Sequence, residues 1–488
     1  MQNLDAVIVG AGPAGLSCAA TMRAAGLTVT VVEKADSVGS VWRRHYDRLH
    51  LHTDRGHSGL PGMAMPRSFP LYPSRAQMVE YLESYAARLD VAPVFNTAVT
   101  SIRRDGSQWR ADTAKGVIAA PVVVVATGIA DAPYRPSCPG MEFYQGSIVH
   151  SSDYRNPAPY LGKRVLVVGF GNSGGEIALD LANAGIDVTL AVRGPVQIIP
   201  RDLLGLPILS WVIFYRHLPA RLVDFINAPI LRLAVGSFEK LGLRQAAKGP
   251  RQMVEEDGRV PLIDVGTLAK IRDGSIRISA GIDRLTQDGV VFADAASGTF
   301  DAIILATGFR PDLRQLIPDV ADVFDQHGMP RVTGGPSSAS GLYFCGQITS
   351  PTGQLREIAL EAQRIADSAR QYVAALDGVG ATPLRVLARV RPHLRRIADL
   401  LRKRNTRRPS HQKHDERGQR KDQDATHQSR HIRPRSVPDM SRQDTANSAA
   451  GGKERQFTAV DRAIGAQSEI SRYQERQDID FSAGGKSD

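Results

Sequence analysis

The stretch Val165-Leu166-Val167-Val168-Gly169-Phe170-Gly171-Asn172-Ser173-Gly174 decides the architecture. An apolar run of strand length gives way to three glycines spaced G-x-G-x-x-G, and Glu176 to Ala184 then reads as a helix. In such a unit Gly169 makes the tight turn out of a buried strand. Gly171 lets the backbone approach a pyrophosphate, and Gly174 lets the helix pack closely on the strand. Ile186 to Val192 reads as the next strand. Where a carboxylate would grip a ribose 2′-hydroxyl, this chain has Val192 and then Arg193, so the nucleotide expected is NADPH, whose 2′-phosphate a guanidinium can pair with. The plainer reading of Arg193 is a solvated charge at a strand end.

The same double turn occurs near the N-terminus. Leu4 to Val9 is an apolar strand, Gly10-Ala11-Gly12-Pro13-Ala14-Gly15 is the turn, and Leu16 to Ala25 is a helix of small residues ending at Gly26. Thr28 to Val32 is a β-branched strand closed by Glu33, which stands where a carboxylate binds an unphosphorylated ribose, as in FAD. Two dinucleotide sites of opposite 2′ chemistry imply electron transfer from one cofactor to the other. The tripeptide Ala-Thr-Gly, at Ala126-Thr127-Gly128 and again at Ala306-Thr307-Gly308, ends an apolar run each time. Each copy can bring the chain back beside a dinucleotide where only a small residue fits, the first beside FAD and the second beside NADPH.

The chain's 488 residues suit two or three domains. Of the formal charge of +11, roughly half sits in Leu401 to Asp488, which holds 19 basic and 13 acidic residues, and no basic stripe with interleaved aromatics suggests nucleic acid. Cys18, Cys138 and Cys345 lie far apart with no C-x-x-C, which excludes a redox dithiol and zinc spacing and fits a reducing cytoplasmic setting. No signal peptide is expected, because the first ten residues already form a strand, and no apolar run is long enough to span a bilayer.

Between these landmarks, Val38 to Asp54 carries Trp42, Arg43, His45, Tyr46, His50 and His52, and reads as a charged loop or as a cover over the flavin. His50 and His52 share a face if extended, but no third ligand has metal spacing, so no metal is expected. Ser74 to Leu89 reads as an amphipathic helix with Met78, Tyr81, Leu82 and Tyr85 on one side, Ser74 as N-cap and Gln77 three residues on. Val99 to Ile118 reads as a hairpin. Arg201 to Leu243 interrupts the pattern, nearly all apolar from Leu203 to Tyr215. A buried helical insertion, a lid at a substrate entrance and a patch touching lipid all fit it. Gly341 to Gln347 is a last buried strand and Gln354 to Ala369 a helix. Leu387, Val390, Leu394, Ile397 and Leu401 place a basic amphipathic helix at 383–404, suited to anionic lipid, a partner or its own domain, and 405–488 has the composition of a disordered tail.

Over Leu4 to Ala369 the chain resembles the class B flavin-dependent monooxygenases, and within them the YUCCA-type and flavin-containing monooxygenases. The resemblance rests on both glycine turns and on Tyr144-Gln145-Gly146-Ser147-Ile148-Val149-His150-Ser151-Ser152-Asp153-Tyr154, similar to the family signature F-x-G-x-x-x-H-x-x-x-Y/F with Tyr144 in place of Phe. Gly171-Asn172-Ser173-Gly174, Leu305 to Phe309 and Tyr81 to Tyr85 also match in place. Departures are informative: Tyr154-Arg155 stands where Baeyer-Villiger enzymes carry Trp-Pro, His52 where flavin-containing monooxygenases place an asparagine beside the flavin, and Gln347, after Gly346, where many flavoproteins hold the ribityl chain with aspartate.

The resemblance implies an α/β fold of two Rossmann-like domains, the FAD domain interrupted by the NADP domain. The boundaries expected are 1–155 and 301–375 for FAD and 156–300 for NADPH, with the helical insertion at 201–243. FAD would lie on Gly10, Gly12, Gly15, Glu33, Trp42, Thr127, Gly128, Gly346 and Gln347. NADPH would lie on Gly169, Gly171, Asn172, Ser173, Gly174, Arg193, Thr307 and Gly308, with His52 the catalytic candidate near the flavin. Gly146, His150 and Tyr154 would couple the domains, although a purely structural His150 fits the sequence as well. The chemistry implied is dioxygen activation as a flavin 4a-(hydro)peroxide. This leaves oxidative decarboxylation of a 2-oxo acid such as indole-3-pyruvate, N- or S-oxygenation of a soft nucleophile, an NADPH oxidase, or a flavin-binding sensor without turnover. The small-molecule substrate and oligomeric state are not legible.

Overall fold

The computed structural model describes residues 4–379, so the helix expected at 383–404 and the tail at 405–488 lie outside the described residues. Two parallel sheets organise the described chain. The first has the strand order Leu342–Phe344, Val122–Val125, Ala6–Val9, Val29–Val32. The second has the order Ile276–Ala280, Asp187–Val192, Arg164–Val168, Ala302–Leu305, Ser147–His150.

Both sheets are covered on both faces, which is why their strands are unbroken apolar runs and do not alternate. In Ala6–Val9, Ala6 and Ile8 enter one core with Leu16, Tyr81 and Ile365, while Val7 and Val9 enter another with Trp109 and Phe344. In the second sheet Val165 and Val167 face Ile177, and Leu166 faces Phe300. Fully burying one such side chain is worth about 1.5–3 kcal/mol, so an intact period-2 division across each sheet fixes its register.

Ser147–His150 and Ala302–Leu305 both pair in the second sheet. The sheets therefore divide nearer 146 and 306 than at the expected 155/156 and 300/301. The physical reason is that an apolar four-residue run carries no mark of which parallel sheet it joins. The segments that cross between the sheets run side by side: Tyr134 N–H donates to Gly308 O at 2.9 Å, Arg310 N–H donates to Ala132 O at 2.8 Å, and the Arg310 guanidinium lies 3.7 Å over the Tyr134 ring.

The expected helix at Ser74 is Arg75–Arg88, opened by a capping box in which Ser74 Oγ accepts from Gln77 N–H while the Gln77 side chain accepts from Ser74 N–H. Its inward Tyr81 and Tyr85 hold the proline-rich loop through hydroxyls donated to Met63 O and Pro61 O. The hairpin expected at Val99 gains a third strand, Gly116–Ala120, and the helix expected at Gln354–Ala369 runs on to Val379.

The insertion holds the helices Ile208–Phe214 and Ala220–Val235. It is not the buried element of the first expectation, because only Leu209, Val223 and Val235 in these helices are buried. It is fastened to the helix Pro250–Asp257, whose first-turn N–H groups on Arg251 and Gln252 donate to the Asp224 carboxylate at 3.0 and 2.9 Å. Among the described residues no helix is long and apolar enough to cross a membrane.

Candidate active site

The two glycine turns are near-copies in three dimensions. Gly10 has φ +109° and Gly169 has φ +112°, a region that L side chains rarely adopt. A Cβ on Gly10 would lie 2.5 Å from Ala126 O, and one on Gly169 would lie 2.4 Å from Ala306 O. Each turn is thus packed against the carbonyl of its own Ala-Thr-Gly tripeptide. A Cβ on Gly15 or Gly174 would sit 1.8 or 2.0 Å from the carbonyl oxygen of Gly10 or Gly169, so the helix can close on the turn only without a side chain there. Gly12 and Gly171 differ from the others in that nothing lies within 4 Å of an added Cβ.

Each middle glycine is the N-cap of a helix, Pro13–Ala24 and Asn172–Asn183, with no side-chain cap and no acidic residue in the first turn. An uncapped helix start facing open space, with glycine at its lip, fits a diphosphate. Both turns meet this test for a dinucleotide.

At the first turn Glu33 ends the strand Val29–Val32, buried, and its carboxylate accepts from Ala11 N–H at 2.7 Å and Ala35 N–H at 3.0 Å. Gln347 is 2% exposed; its Nε2 donates to Thr127 Oγ1 at 3.4 Å, while its Oε1 has no hydrogen-bond partner among the described residues. A buried acceptor left unpaired costs about 1–3 kcal/mol, and a hydroxyl brought by a bound ligand would satisfy it. Gly346 lies against the start of the first helix, where a Cβ would meet that of Ala14 at 3.1 Å, and its N–H donates to Glu361 Oε2 at 2.6 Å. Glu361, whose pKa burial pushes up, also accepts from Thr333 Oγ1. It escaped the sequence reading, whose only signal was an acidic residue among the inward-facing Ile358, Ala362 and Ile365. Gly128 follows Thr127 with φ +76°, and Trp42 is half-buried on the short helix Ser40–Arg44, edge-on to His45.

At the second turn Asn172 Oδ1 accepts from Ile263 N–H at 2.8 Å, tying the helix start to the strand Leu262–Asp264, while Ser173 follows within the first helical turn. Arg193 leaves the end of Asp187–Val192 with its stem against Gly281, where a Cβ would come within 3.2 Å of its Cα, Cβ and Cγ. Arg244, exposed and unremarked in the sequence, donates from Nη2 to Arg193 O at 3.1 Å and brings a second guanidinium to the strand end. Thr307 Oγ1 donates to Tyr134 O at 2.5 Å.

The Gly308 carbonyl is taken by Tyr134 N–H and by His150 Nε2 at 3.0 Å. Because Ser152 N–H donates to His150 Nδ1 at 3.1 Å, the proton of the neutral ring sits on Nε2. Burial lowers the His150 pKa, and its ring stands edge-on to Phe309 at 5.2 Å. His150 thus fixes the Ala306–Phe309 return to its own strand. Gly146 gives room to Tyr144, whose hydroxyl donates to Phe300 O at 2.8 Å. Tyr154 is buried between Tyr46 and Tyr160 and donates to Asp180 Oδ2 at 2.8 Å, joining the aromatic loop to the second nucleotide helix.

His50 and His52 part company: His50 is exposed and bonds Arg48 O through Nδ1, whereas His52 turns inward and pairs through Nε2 with Glu176. Glu176, buried in the helix Asn172–Asn183, also faces Tyr46, whose pKa is raised by burial first and by Glu176 second. This carboxylate, also missed in the sequence, links the loop of the first domain to the nucleotide helix of the second. Beside His52 and Asn172 opens a cavity of about 280 Å³, roofed by Leu209, Trp211, Val223 and Leu231 of the insertion and floored by Thr349, Ser350, Pro351, Gly353 and Gln354, which follow Gln347. An apolar cavity meeting both nucleotide units is suited to a small organic substrate.

The fold and these two turns define a protein built to hold two dinucleotides beside one apolar chamber. A family model described as pyridine nucleotide-disulphide oxidoreductase matches residues 7–202, although the cysteines Cys18, Cys138 and Cys345 are all free. The indole-3-pyruvate monooxygenase YUCCA1 of Oryza sativa subsp. japonica is 40% identical over 349 residues, covering 70% of this chain and 86% of the rice protein. The indole-3-pyruvate monooxygenase YUCCA6 of Arabidopsis thaliana is 38% identical over 334 residues, covering 66% and 80%. A flavin-containing monooxygenase from Stenotrophomonas maltophilia shares the fold with a TM-score of 0.60 at 24% identity, over 77% of this chain and 100% of that one. The chain belongs to the YUCCA-type family of class B flavin-dependent monooxygenases. It is an oxidoreductase.

Proposed function

We propose that this enzyme uses NADPH and dioxygen to decarboxylate a 2-oxo acid of the indole-3-pyruvate kind. The reaction converts the 2-oxo acid, O2, NADPH and a proton into the acid one carbon shorter, CO2, NADP+ and water. One observation carries the reading: two equivalent, uncapped glycine turns lie in one chain, and the start of the helix after the second, at Asn172, lines an apolar cavity. The relatives named for indole-3-pyruvate supply the substrate class.

Bound FAD would supply the redox centre that accepts reducing equivalents from NADPH and activates dioxygen. The chain's own residues bind, orient and exclude water. Gly12 and the Pro13–Ala24 helix start receive one diphosphate and Gly171 with the Asn172–Asn183 helix start the other. Glu33 takes the unphosphorylated ribose, Gln347 the ribityl chain, and Arg193 the 2′-phosphate. The His52–Glu176 pair closes the loop over the second helix, and Trp211, stacked on Tyr215 at 6.3 Å, keeps the chamber dry. The three free thiols suit work in a reducing cytoplasm.

A second reading, oxygenation of an uncharged soft nitrogen or sulfur, is favoured by one feature. Arg251, the guanidinium that lines the cavity, is already engaged at Nε by Glu255, at Nη1 by Tyr215 O and at Nη2 by Arg216 O. Purified enzyme given NADPH, air and each substrate class separates the two. CO2 release matched to NADPH use supports decarboxylation, and an N- or S-oxide supports the second reading. Stoichiometric hydrogen peroxide with neither product refutes both in favour of an oxidase.

A further inference from the structure

The helix Ala220–Val235 carries apolar side chains on two faces, one toward the cavity and one toward solvent. Val223, Asn227 and Leu231, four residues apart, line the cavity. Leu222, Phe225, Ile226, Ile230 and Leu233 repeat at three- and four-residue steps on the other side and stand in solvent, Phe225 78% and Leu233 88% exposed. Phe214, at the end of the preceding helix, is 75% exposed, and Leu218 between the helices is exposed as well. Side chains of this size scattered singly need no explanation, but a stripe at helical period does, because a helix apolar all round belongs to an interior.

The exposed fixed charges on this stretch have one sign. Between Phe214 and Val235 the ionisable residues of fixed charge are Arg216, Arg221, Arg232 and Asp224. The three arginines are exposed, whereas Asp224 is turned inward to the backbone N–H groups of Arg251 and Gln252. A second copy docked on this stripe about a two-fold axis would set arginines against arginines. The chain's own segment Leu401 to Asp488, with 19 basic and 13 acidic residues, carries the same sign. An apolar ridge whose own exposed fixed charges, from Phe214 to Val235, are all guanidinium groups fits a bilayer with anionic headgroups, its aromatic and leucine side chains among the acyl chains and its arginines at the phosphates.

We infer that the outer face of the insertion, Phe214 to Leu233, is a docking surface for an anionic lipid bilayer. The inner face of the same helix roofs the cavity, so docking sets the chamber of the proposed substrate at the lipid boundary. The test uses the full chain loaded with FAD and flotation with phosphatidylcholine vesicles with and without phosphatidylglycerol. The protein is expected to float with the anionic vesicles and to be released by salt. The exposed-site variant Phe225→Ser/Leu233→Ser should lower partitioning about tenfold for each side chain removed. A second variant, Arg216→Gln/Arg221→Gln, should lower it about fivefold for each charge. Both should retain wild-type flavin content, which reads the fold independently of turnover. The inference is overturned if the wild-type protein stays with the vesicle-free fraction or if both variants float like it. A dimer that the Phe225→Ser/Leu233→Ser change converts to monomer, without vesicle binding, would instead assign the surface to a second copy.

Discussion

Alanine at Gly169 and at Gly171, two residues apart in one turn, should fail in opposite ways. Gly169 has φ +112°, and its Cβ would stand 2.4 Å from Ala306 O, a backbone atom that can move only by displacing the strand Ala302–Leu305. Backbone strain of about 1–3 kcal/mol adds to an overpacking cost of about 1–3 kcal/mol, so Gly169→Ala should cost about 4 kcal/mol of stability. Gly171 has φ −97° and ψ −178°, extended geometry that any residue adopts, and open space around its Cβ. Gly171→Ala should therefore leave stability within about 1 kcal/mol of wild type, because the gain of about 0.4–1 kcal/mol through the unfolded chain is offset by the loss of glycine at a helix N-cap. Its methyl group, however, would occupy the lip where a diphosphate approaches and weaken NADPH about 10- to 100-fold. Urea unfolding of the cofactor-free proteins gives the first quantity and calorimetric titration of NADPH the second. The reasoning is refuted if Gly169→Ala unfolds at the wild-type urea concentration, or if Gly171→Ala binds NADPH with wild-type affinity.

Three further outcomes follow from the site. Arg193→Ala should weaken 2′,5′-ADP about 10- to 100-fold and 5′-AMP hardly at all, and Arg244→Ala should act in the same direction more weakly, as read by calorimetry. His45 is half-buried, and its pKa is lowered to about 4 by burial first and then by Arg75, Arg155 and Arg44. The unfolded chain binds that proton first, so this contribution to stability is complete above the ordinary value of 6.5 and is lost as pH falls toward about 4. The unfolding free energy from urea titration should therefore drop by about 2 kcal/mol between about pH 7 and pH 5, and His45→Asn should flatten that slope. Glu176→Ala removes the carboxylate paired with His52 and facing Tyr46 and should cost about 1–3 kcal/mol in urea unfolding; a value near zero would show the pair to be idle.

What the sequence made legible is local. Each glycine turn, the unbroken valine-rich strands and the Ser74 capping box depend on residues within a few positions of one another, and their spacing carries the physics. The partnership of His52 with Glu176 spans 124 residues, and nothing near either reports it. Glu361 beneath Gly346 was hidden for the same reason, as was Arg244 beside Arg193. The strand Ala302–Leu305 was legible as a strand but not as a member of the second sheet, since Ala-Ile-Ile-Leu suits either. The insertion was legible as apolar, whereas its having one face on the cavity and one in solvent is a property of neighbours the sequence does not display.

The side-by-side crossings at Tyr134 and Gly308 have a mechanical consequence. A pair of extended segments joined by hydrogen bonds forms a ribbon, which resists twisting and sliding because either motion must break those bonds, and yields only when flexed across its thin direction. The two nucleotide units are thereby joined by a stiff ribbon at the crossings and by a second tie at the His52–Glu176 contact.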